Sequence, residues 1–247
     1  MRKLVPLFLL LVPVLAMAQK NAVKLNLSSL TIRNYHVQYE RKILPKMTLN
    51  LGLRIMPKGG LPMEESFKNL LPELFEDPDF KIGDFEIGNT AITLEPRFYL
   101  SKKAMKGFYI APYARYASFD LGLPFSYSYD QDPTAGVSVV TKTAKFNGKI
   151  NSFSGGLMFG TQFNIAKRLV LDIWWIGGHY GSSSGDLALN VALPTQEERD
   201  ALKNTLDGFD PSPFKFESSV NANGAVIKSD GPWAGIRGLG INLGFKF

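Results

Sequence analysis

Leu239-Gly240-Ile241-Asn242-Leu243-Gly244-Phe245-Lys246-Phe247 is the stretch on which the fold turns. Every second residue is aliphatic or aromatic, and the residues between them are Gly, Asn or Lys. A period of two belongs to an extended strand whose faces meet two different environments. The same pattern runs back through the chain. Val23, Leu25 and Leu27 alternate with Lys24, Asn26 and Ser28. Tyr35, Val37 and Tyr39 alternate with His36, Gln38 and Glu40. Met47, Leu49, Leu51, Leu53 and Ile55 oppose Thr48, Asn50, Gly52 and Arg54, and Ile92, Leu94, Phe98 and Leu100 oppose Thr93, Glu95, Arg97 and Tyr99. Further strands are expected over about 108–125, about 137–163 and 169–177. That makes eight, each able to supply the ~9–11 residues that a tilted transmembrane strand needs.

The connections alternate in length. Those at 44–46, 101–107 and 165–168 are tight, whereas of those at 31–34, 57–89, about 126–136 and about 180–234 all but the first are long. Short turns at one end and long loops at the other are the rule for an outer-membrane barrel. The expected fold class is therefore all-β: a closed antiparallel up-and-down transmembrane barrel of about eight strands, with short helices in its outer loops. Residues 62–80 carry Met63, Phe67, Leu70, Leu71, Leu74 and Phe75 at near-helical spacing, broken by Pro72 and Pro78. These apolar side chains are expected to fold back over the mouth; exposed, they would mark a partner site. Pro194-Thr195 with Glu198 reads as a capping box opening a helix that runs to about Leu206. The strands at 108–125 and 137–163 exceed what a membrane needs, so their hairpin is expected to project beyond the surface.

Targeting agrees with this reading. Met1-Arg2-Lys3 precedes an apolar run over 4–15 and the small-x-small site Ala16-Met17-Ala18, the layout of a secretory signal peptide. Removal of 1–18 would leave one domain, 19–247. No stretch reaches the 18 apolar residues of a membrane-spanning helix. Mean hydropathy is −0.03, yet 12% of residues are aromatic, with 18 Phe and 9 Tyr. A barrel has this profile, because half of its strand residues face a polar interior and aromatics gather at the interfaces. The absence of cysteine excludes a disulfide framework, a thiol nucleophile and Cys-ligated metal. Net charge is +6, or +4 without Arg2 and Lys3, and is too mild and dispersed for nucleic acid.

Two internal stretches, Leu94-Glu95-Pro96-Arg97-Phe98-Tyr99-Leu100 and Gly107-Phe108-Tyr109-Ile110-Ala111-Pro112-Tyr113, resemble an uncharacterised family of small Bacteroidetes-type outer-membrane β-barrels. The final strand, through Leu239, Ile241, Leu243, Phe245 and Phe247, resembles the C-terminal recognition strand of bacterial outer-membrane proteins, which ends in Phe. The resemblance implies recognition by the barrel-assembly machinery and contact with outer-membrane lipid and lipopolysaccharide. It brings no catalytic residues.

If the apolar faces meet lipid, Lys24, Glu40, Arg54, Glu95, Arg97, Arg115, Asp172 and Lys246 point inward, with Asn26, Gln38, Asn50 and Asn242. An eight-stranded barrel has an interior just wide enough for side chains to fill. Such charges must be paired and hydrogen-bonded, so an internal ion-pair network that plugs the lumen is expected. A narrow passive channel for small solutes is the transport alternative, with Gly52, Gly238, Gly240 and Gly244 leaving room. His36 is expected to face the interior and hydrogen-bond there. The enzyme alternative is a lipid A-modifying hydrolase at the rim. It would use His179, in Gly177-Gly178-His179-Tyr180-Gly181-Ser182-Ser183-Ser184, with a serine nucleophile and Asp186 as acid. The outer-membrane hydrolases of this kind place Ser two positions after His, where this chain has Gly181. A soluble exported β-sandwich is a further alternative. No cofactor or metal is expected: there are two His, and the loop acids Glu64, Glu65, Glu73, Glu76, Asp77 and Asp79 lack the spacing of a calcium loop. Tyr35, Phe98, Tyr99, Phe108, Tyr116, Phe163, Trp174 and Trp175 fit interfacial girdles, one of the adjacent tryptophans necessarily facing inward. The first reading is a non-enzymatic outer-membrane barrel with a charge-filled lumen, whose loops 57–89 and 180–234 offer a surface for a protein partner.

Overall fold

Alternation this regular pairs with its neighbours into a sheet, and the short turns fix the register. In the computed structural model, residues 20–70, 84–130, 139–209 and 212–247 are described. The expected leader 1–18 lies outside them, as do 71–83, with Leu71, Leu74 and Phe75 of the loop apolars and four of the loop acids. Nine strands form: β1 (Asn21–Asn26), β2 (Tyr35–Leu44), β3 (Met47–Gly60), β4 (Glu86–Tyr99), β5 (Gly107–Asp130), β6 (Val139–Asn164), β7 (Leu169–Leu189), β8 (Lys215–Asn221) and β9 (Gly224–Lys246). Each pairs antiparallel with the next, except that β7 pairs with β9, and β8 borders β9 alone. β1 also pairs with β9, through Val23↔Phe245 and Leu25↔Leu243, so β1–β7 and β9 make a ring of eight strands. Asn21 and Phe247 exchange backbone hydrogen bonds of 3.1 and 2.9 Å at this seam. Among the described residues there are two α-helices, α1 (Glu64–Leu70) and α2 (Gln196–Gly208), and a 3-10 turn at Ser28–Ile32.

The ring has the eight strands expected, but a ninth strand beside it and the loop lengths differ from the sequence reading. Residues 180–234 are not a loop: β7 continues to Leu189, β9 begins at Gly224, and α2 and β8 lie between. β3 and β5 likewise run into the expected loops, to Gly60 and Asp130. The reason is an inversion of polarity along single strands. On the inner half of β5, Phe108, Ile110, Pro112, Ala114 and Tyr116 face out, while Tyr109, Tyr113 and Arg115 face in. Beyond Ala117 the outward residues are Ser118, Asp120 and Ser126, and the inward ones are Leu121, Leu123, Phe125 and Tyr127. β6 changes over at the same level. Phe153, Leu157, Phe159 and Phe163 are exposed on its outer face, whereas farther out Lys145, Asn147 and Lys149 take that face and Ala144, Phe146 and Ile150 are buried.

The extended ends of β5, β6, β7 and β9, with β8, thus form a second sheet with its own apolar core. Leu202 and Leu206 of α2 pack onto Phe125, Phe146, Leu187 and Ile227. Thr195 caps α2, its hydroxyl accepting the Glu198 N–H at 3.2 Å. The Glu198 side chain does not reach back as a capping box would; it turns inward to accept from Tyr127 OH at 3.0 Å and Lys142 Nζ at 2.6 Å.

Candidate functional site

Lys24, Glu40, Arg54, Glu95, Arg97, Arg115, Asp172 and Lys246 all lie on the interior face of the ring. They divide into tiers. In the middle tier, Lys24 Nζ donates to Glu40 at 2.7 Å and to Asp172 at 2.6 Å. Arg97 donates to Asp172 at 2.6 Å and to Glu95 at 2.8 Å. Tyr109 OH donates to Asp172 at 2.7 Å, and Tyr99 OH to Glu40 at 2.6 Å. Lys24, Glu40, Arg97 and Asp172 are 0% exposed. Burying ions costs several kcal/mol each unless geometry and hydrogen bonds compensate; here each carboxylate has two cationic or hydroxyl partners or more. Glycines on this face do not leave a passage. A Cβ on Gly52 would meet the His36 ring at 2.7 Å, and one on Gly240 the Trp174 ring at 2.5 Å. Gly238, expected inside, is exposed. At the inner rim, Lys246 donates to Asn164 at 2.8 Å.

The outer tier was not legible from alternation. Trp175 is skipped in the β6–β7 register, between Phe159↔Ile176 and Gly160↔Trp174. β9 skips Leu239 at the same level, where φ is +25°. Across this irregularity the inward phase changes from even to odd residues, so that Trp174 turns in, Trp175 out, and Arg237 becomes interior. The Gly238-Leu239-Gly240 run is the sequence signal that marks such a bulge. Arg237 Nη1 donates to Glu95 at 2.7 Å, and its guanidinium lies 4.7 Å from the Tyr113 ring and 4.5 Å from the Trp174 ring. Arg54 and Arg115 have no ion-pair partner among the described residues. The three arginines border a cavity of about 370 Å³, with Trp174, His179 and Trp233. His36, expected to be hydrogen-bonded, is buried with Nδ1 unpartnered.

His179 meets Tyr113 OH at 3.0 Å through Nδ1. Serine and acid do not join it: β7 continues, so Ser182 stays on the outer face, and Ser183 donates to the Gly231 carbonyl at 3.4 Å. Asp186 lies on the face opposite His179, paired across to Lys149 and Lys228. Among the described residues no group of three or more His, Asp or Glu is placed to hold a metal ion. Of the expected girdle, Tyr35, Phe98, Phe108, Tyr116, Phe163 and Trp175 are exposed, whereas Tyr99 and Trp174 are interior. Leu239, Ile241, Leu243 and Phe245 are exposed on the outer face of β9, and Phe247 is half-buried. In the outer sheet, burial and then the Glu198 hydrogen bond push the Tyr127 hydroxyl up to about 12, and the Glu198 hydrogen bond raises the Lys142 ammonium.

A sequence family described as Protein of unknown function (DUF3575) matches residues 4–186. The chain belongs to this family. The match covers β1–β6 and most of β7, so Arg54, Arg115 and His179 fall within it, and α2, β8, β9 and Arg237 follow it. No curated protein matches the chain.

Proposed function

We propose that the chain is an integral outer-membrane β-barrel whose lumen is closed by the ion-pair tier and whose outer sheet works as a surface-binding module. The inversion of face polarity along β5 and β6 carries this reading. An apolar exterior around a charged interior changes, within one strand, to a polar exterior around an apolar core. That is the change of surroundings on leaving a bilayer. On β5 the apolar outer face runs from Phe108 to Tyr116, and on β6 from Phe153 to Phe163. At ~3.4 Å per residue and ~40° of tilt these spans rise about 20–26 Å, near the ~25 Å band of outer-membrane barrels. Tyr35, Tyr116 and Phe108 lie at its edges, where aromatic girdles belong. The basic, apolar and small-residue pattern of 1–18 supplies an export route, and lipopolysaccharide is the expected neighbour of the outer face.

The closed tier speaks for a silent barrel rather than a channel. The geometry around His179 offers no nucleophile, which leaves the hydrolase reading without support. The deciding experiment is fractionation of the expressed chain with heat-modifiable migration in detergent gels, followed by planar-bilayer recording. Recovery in the outer membrane with no conductance is expected. A soluble periplasmic pool would defeat the barrel, and steady ion current would defeat the plug.

A further inference from the structure

The interior of the ring holds six basic side chains against three acidic ones, and the excess is unevenly placed. Lys24, Arg97 and Arg237 are matched by Glu40, Glu95 and Asp172 within contacts of 2.8 Å or less. Lys246 sits apart at the inner rim. Arg54 and Arg115 remain, both bordering the outer cavity, so two positive charges there have no carboxylate partner among the described residues. Among the described residues, the cavity wall also holds buried donors without partners: Arg54 Nε, Arg237 Nε and Nη2, and Trp174 Nε1. Arg237 is 5% exposed and Trp174 3%. A buried charged donor left unpaired is costly, and such groups are normally satisfied.

We infer that this cavity binds a phosphoryl group, as a dianionic monoester presented by a lipid headgroup or by a small soluble phosphate. Charge sets the valence: two uncompensated guanidinium groups balance a dianion, where a carboxylate would leave one unmatched. Geometry sets the shape. Arg54 on β3, Arg115 on β5 and Arg237 on β9 border the cavity from different strands, which suits a tetrahedral group with three or more acceptor oxygens better than a planar carboxylate. The Tyr113 and Trp174 rings and Glu95 hold the Arg237 guanidinium in place at the cavity wall. A volume of about 370 Å³ leaves room for the phosphoryl group and the first atoms of its carrier.

The wall also provides an approach. β1 is short and meets β9 only over residues 242–246, while β8 meets it over 224–230. Between them, among the described residues, β9 pairs with β7 alone. Ile236 and Leu239 stand on this stretch, 81% and 71% exposed, and both border the cavity. A headgroup entering here keeps its chain on the apolar belt. This lateral route rests on the membrane reading above; the anion chemistry does not.

The test uses the full chain folded in detergent and titrated with glycerol 3-phosphate, acetate or chloride at matched ionic strength. In parallel, the chain is reconstituted in phosphatidylcholine vesicles with and without phosphatidic acid. The readouts are the intrinsic tryptophan fluorescence, with Trp174 and Trp233 bordering the cavity, and the unfolding temperature. Glycerol 3-phosphate or phosphatidic acid is expected to shift both, and acetate and chloride neither. Arg54→Gln or Arg115→Gln should weaken binding roughly tenfold or more. Without phosphate, either variant should unfold no earlier than the wild type, because it relieves a like-charge pair. A response to phosphatidic acid alone assigns the lipid; a response to glycerol 3-phosphate alone assigns a soluble phosphate. No response to either probe, an equal response to acetate, or unchanged binding in both variants overturns the inference. The wild-type titrations decide even where a variant fails to fold. A silent titration of heat-modifiable protein defeats the anion site alone, whereas a soluble, phosphate-binding chain defeats the membrane reading alone.

Discussion

Asp172→Asn is the sharpest test of the closed tier. Asp172 accepts from Lys24 and Arg97 at 2.6 Å each and from Tyr109 at 2.7 Å, with no exposed surface. With it, the paired charges of the two tiers sum to zero: Lys24, Arg97 and Arg237 against Glu40, Glu95 and Asp172. Asparagine keeps the shape and one acceptor but leaves one cation uncompensated. Breaking a buried pair in this way costs about 3–5 kcal/mol, a large share of the roughly 5–15 kcal/mol that holds a folded domain. For a chain of this size that corresponds to a fall of roughly 6–20 °C in Tm. Adding Lys24→Met removes the orphaned cation and restores the balance, since Arg97 and Arg237 then face Glu40 and Glu95. The double variant should regain about 2 kcal/mol or more, a coupling between directly bonded groups. Urea unfolding followed by tryptophan fluorescence, with heat-modifiable migration as a check of folding, measures both. Asp172→Asn within about 1 kcal/mol of the wild type, or a double variant that only adds the two costs, would refute the electrostatic account of the tier.

Three further outcomes follow from the same geometry. Leu94, mid-belt and paired with Leu51 and Ala114, should lose about 2–4 kcal/mol on Leu94→Arg in lipid. Ser184→Arg, on the outer face of the extended β7, should stay within about 0.5 kcal/mol, and equal costs in vesicle unfolding would count against the belt. The α2 clamp should loosen in alkali. The Tyr127 hydroxyl is raised to about 12, so its contribution is whole below about pH 10 and is lost as pH rises through about 12. Limited proteolysis of α2 should appear in that window and set in earlier for Tyr127→Phe; protection that persists beyond pH 12 would contradict the clamp. Glu95→Gln should separate stability from binding, because Glu95 holds both Arg97 and Arg237. Unfolding should come earlier while glycerol 3-phosphate binds more tightly, and a parallel fall in both would contradict the division into tiers.

The ring was legible because its strands carry an apolar outer face at a period of two, and alternation against Val23 and Leu25, Val37 and Tyr39, and Leu171 and Ile173 puts Lys24, Glu40 and Asp172 inside. The outer sheet was less legible. The Gly177-Gly178 pair and the serines after it read as a loop when apolar-out alternation is sought, yet Ser183, Leu187 and Leu189 continue the strand with its polarity reversed. β5 and β6 were read as long because both halves of their alternation carry large side chains. Arg237 was lost for a different reason. Alternation counted back from Phe245 assigns odd residues to the outside, and only the bulge at Leu239 reverses that. A one-residue irregularity flips every side chain beyond it, and no composition or charge count detects it.

The level at which the unpaired arginines sit is itself informative. Arg115 directly precedes Tyr116, the last apolar outward residue of β5, and Arg54 directly precedes Ile55, which pairs with Tyr35. The matched charges lie deeper, beside Leu94, Phe98 and Leu243. On the proposed membrane reading, an uncompensated charge at mid-belt would face the full cost of a low-dielectric surround, whereas at the outer edge water and anionic headgroups would lie within reach. The Gly238–Leu239 bulge delivers Arg237 to that same edge while its Nη1 stays bonded to Glu95 below. One carboxylate thus joins the two tiers, with Arg97 on the deeper side and Arg237 beside the unpaired arginines. An anion entering the cavity competes with Glu95 for Arg237 alone, so it can be bound and released without opening the contacts of Lys24, Arg97 and Asp172 that close the ring.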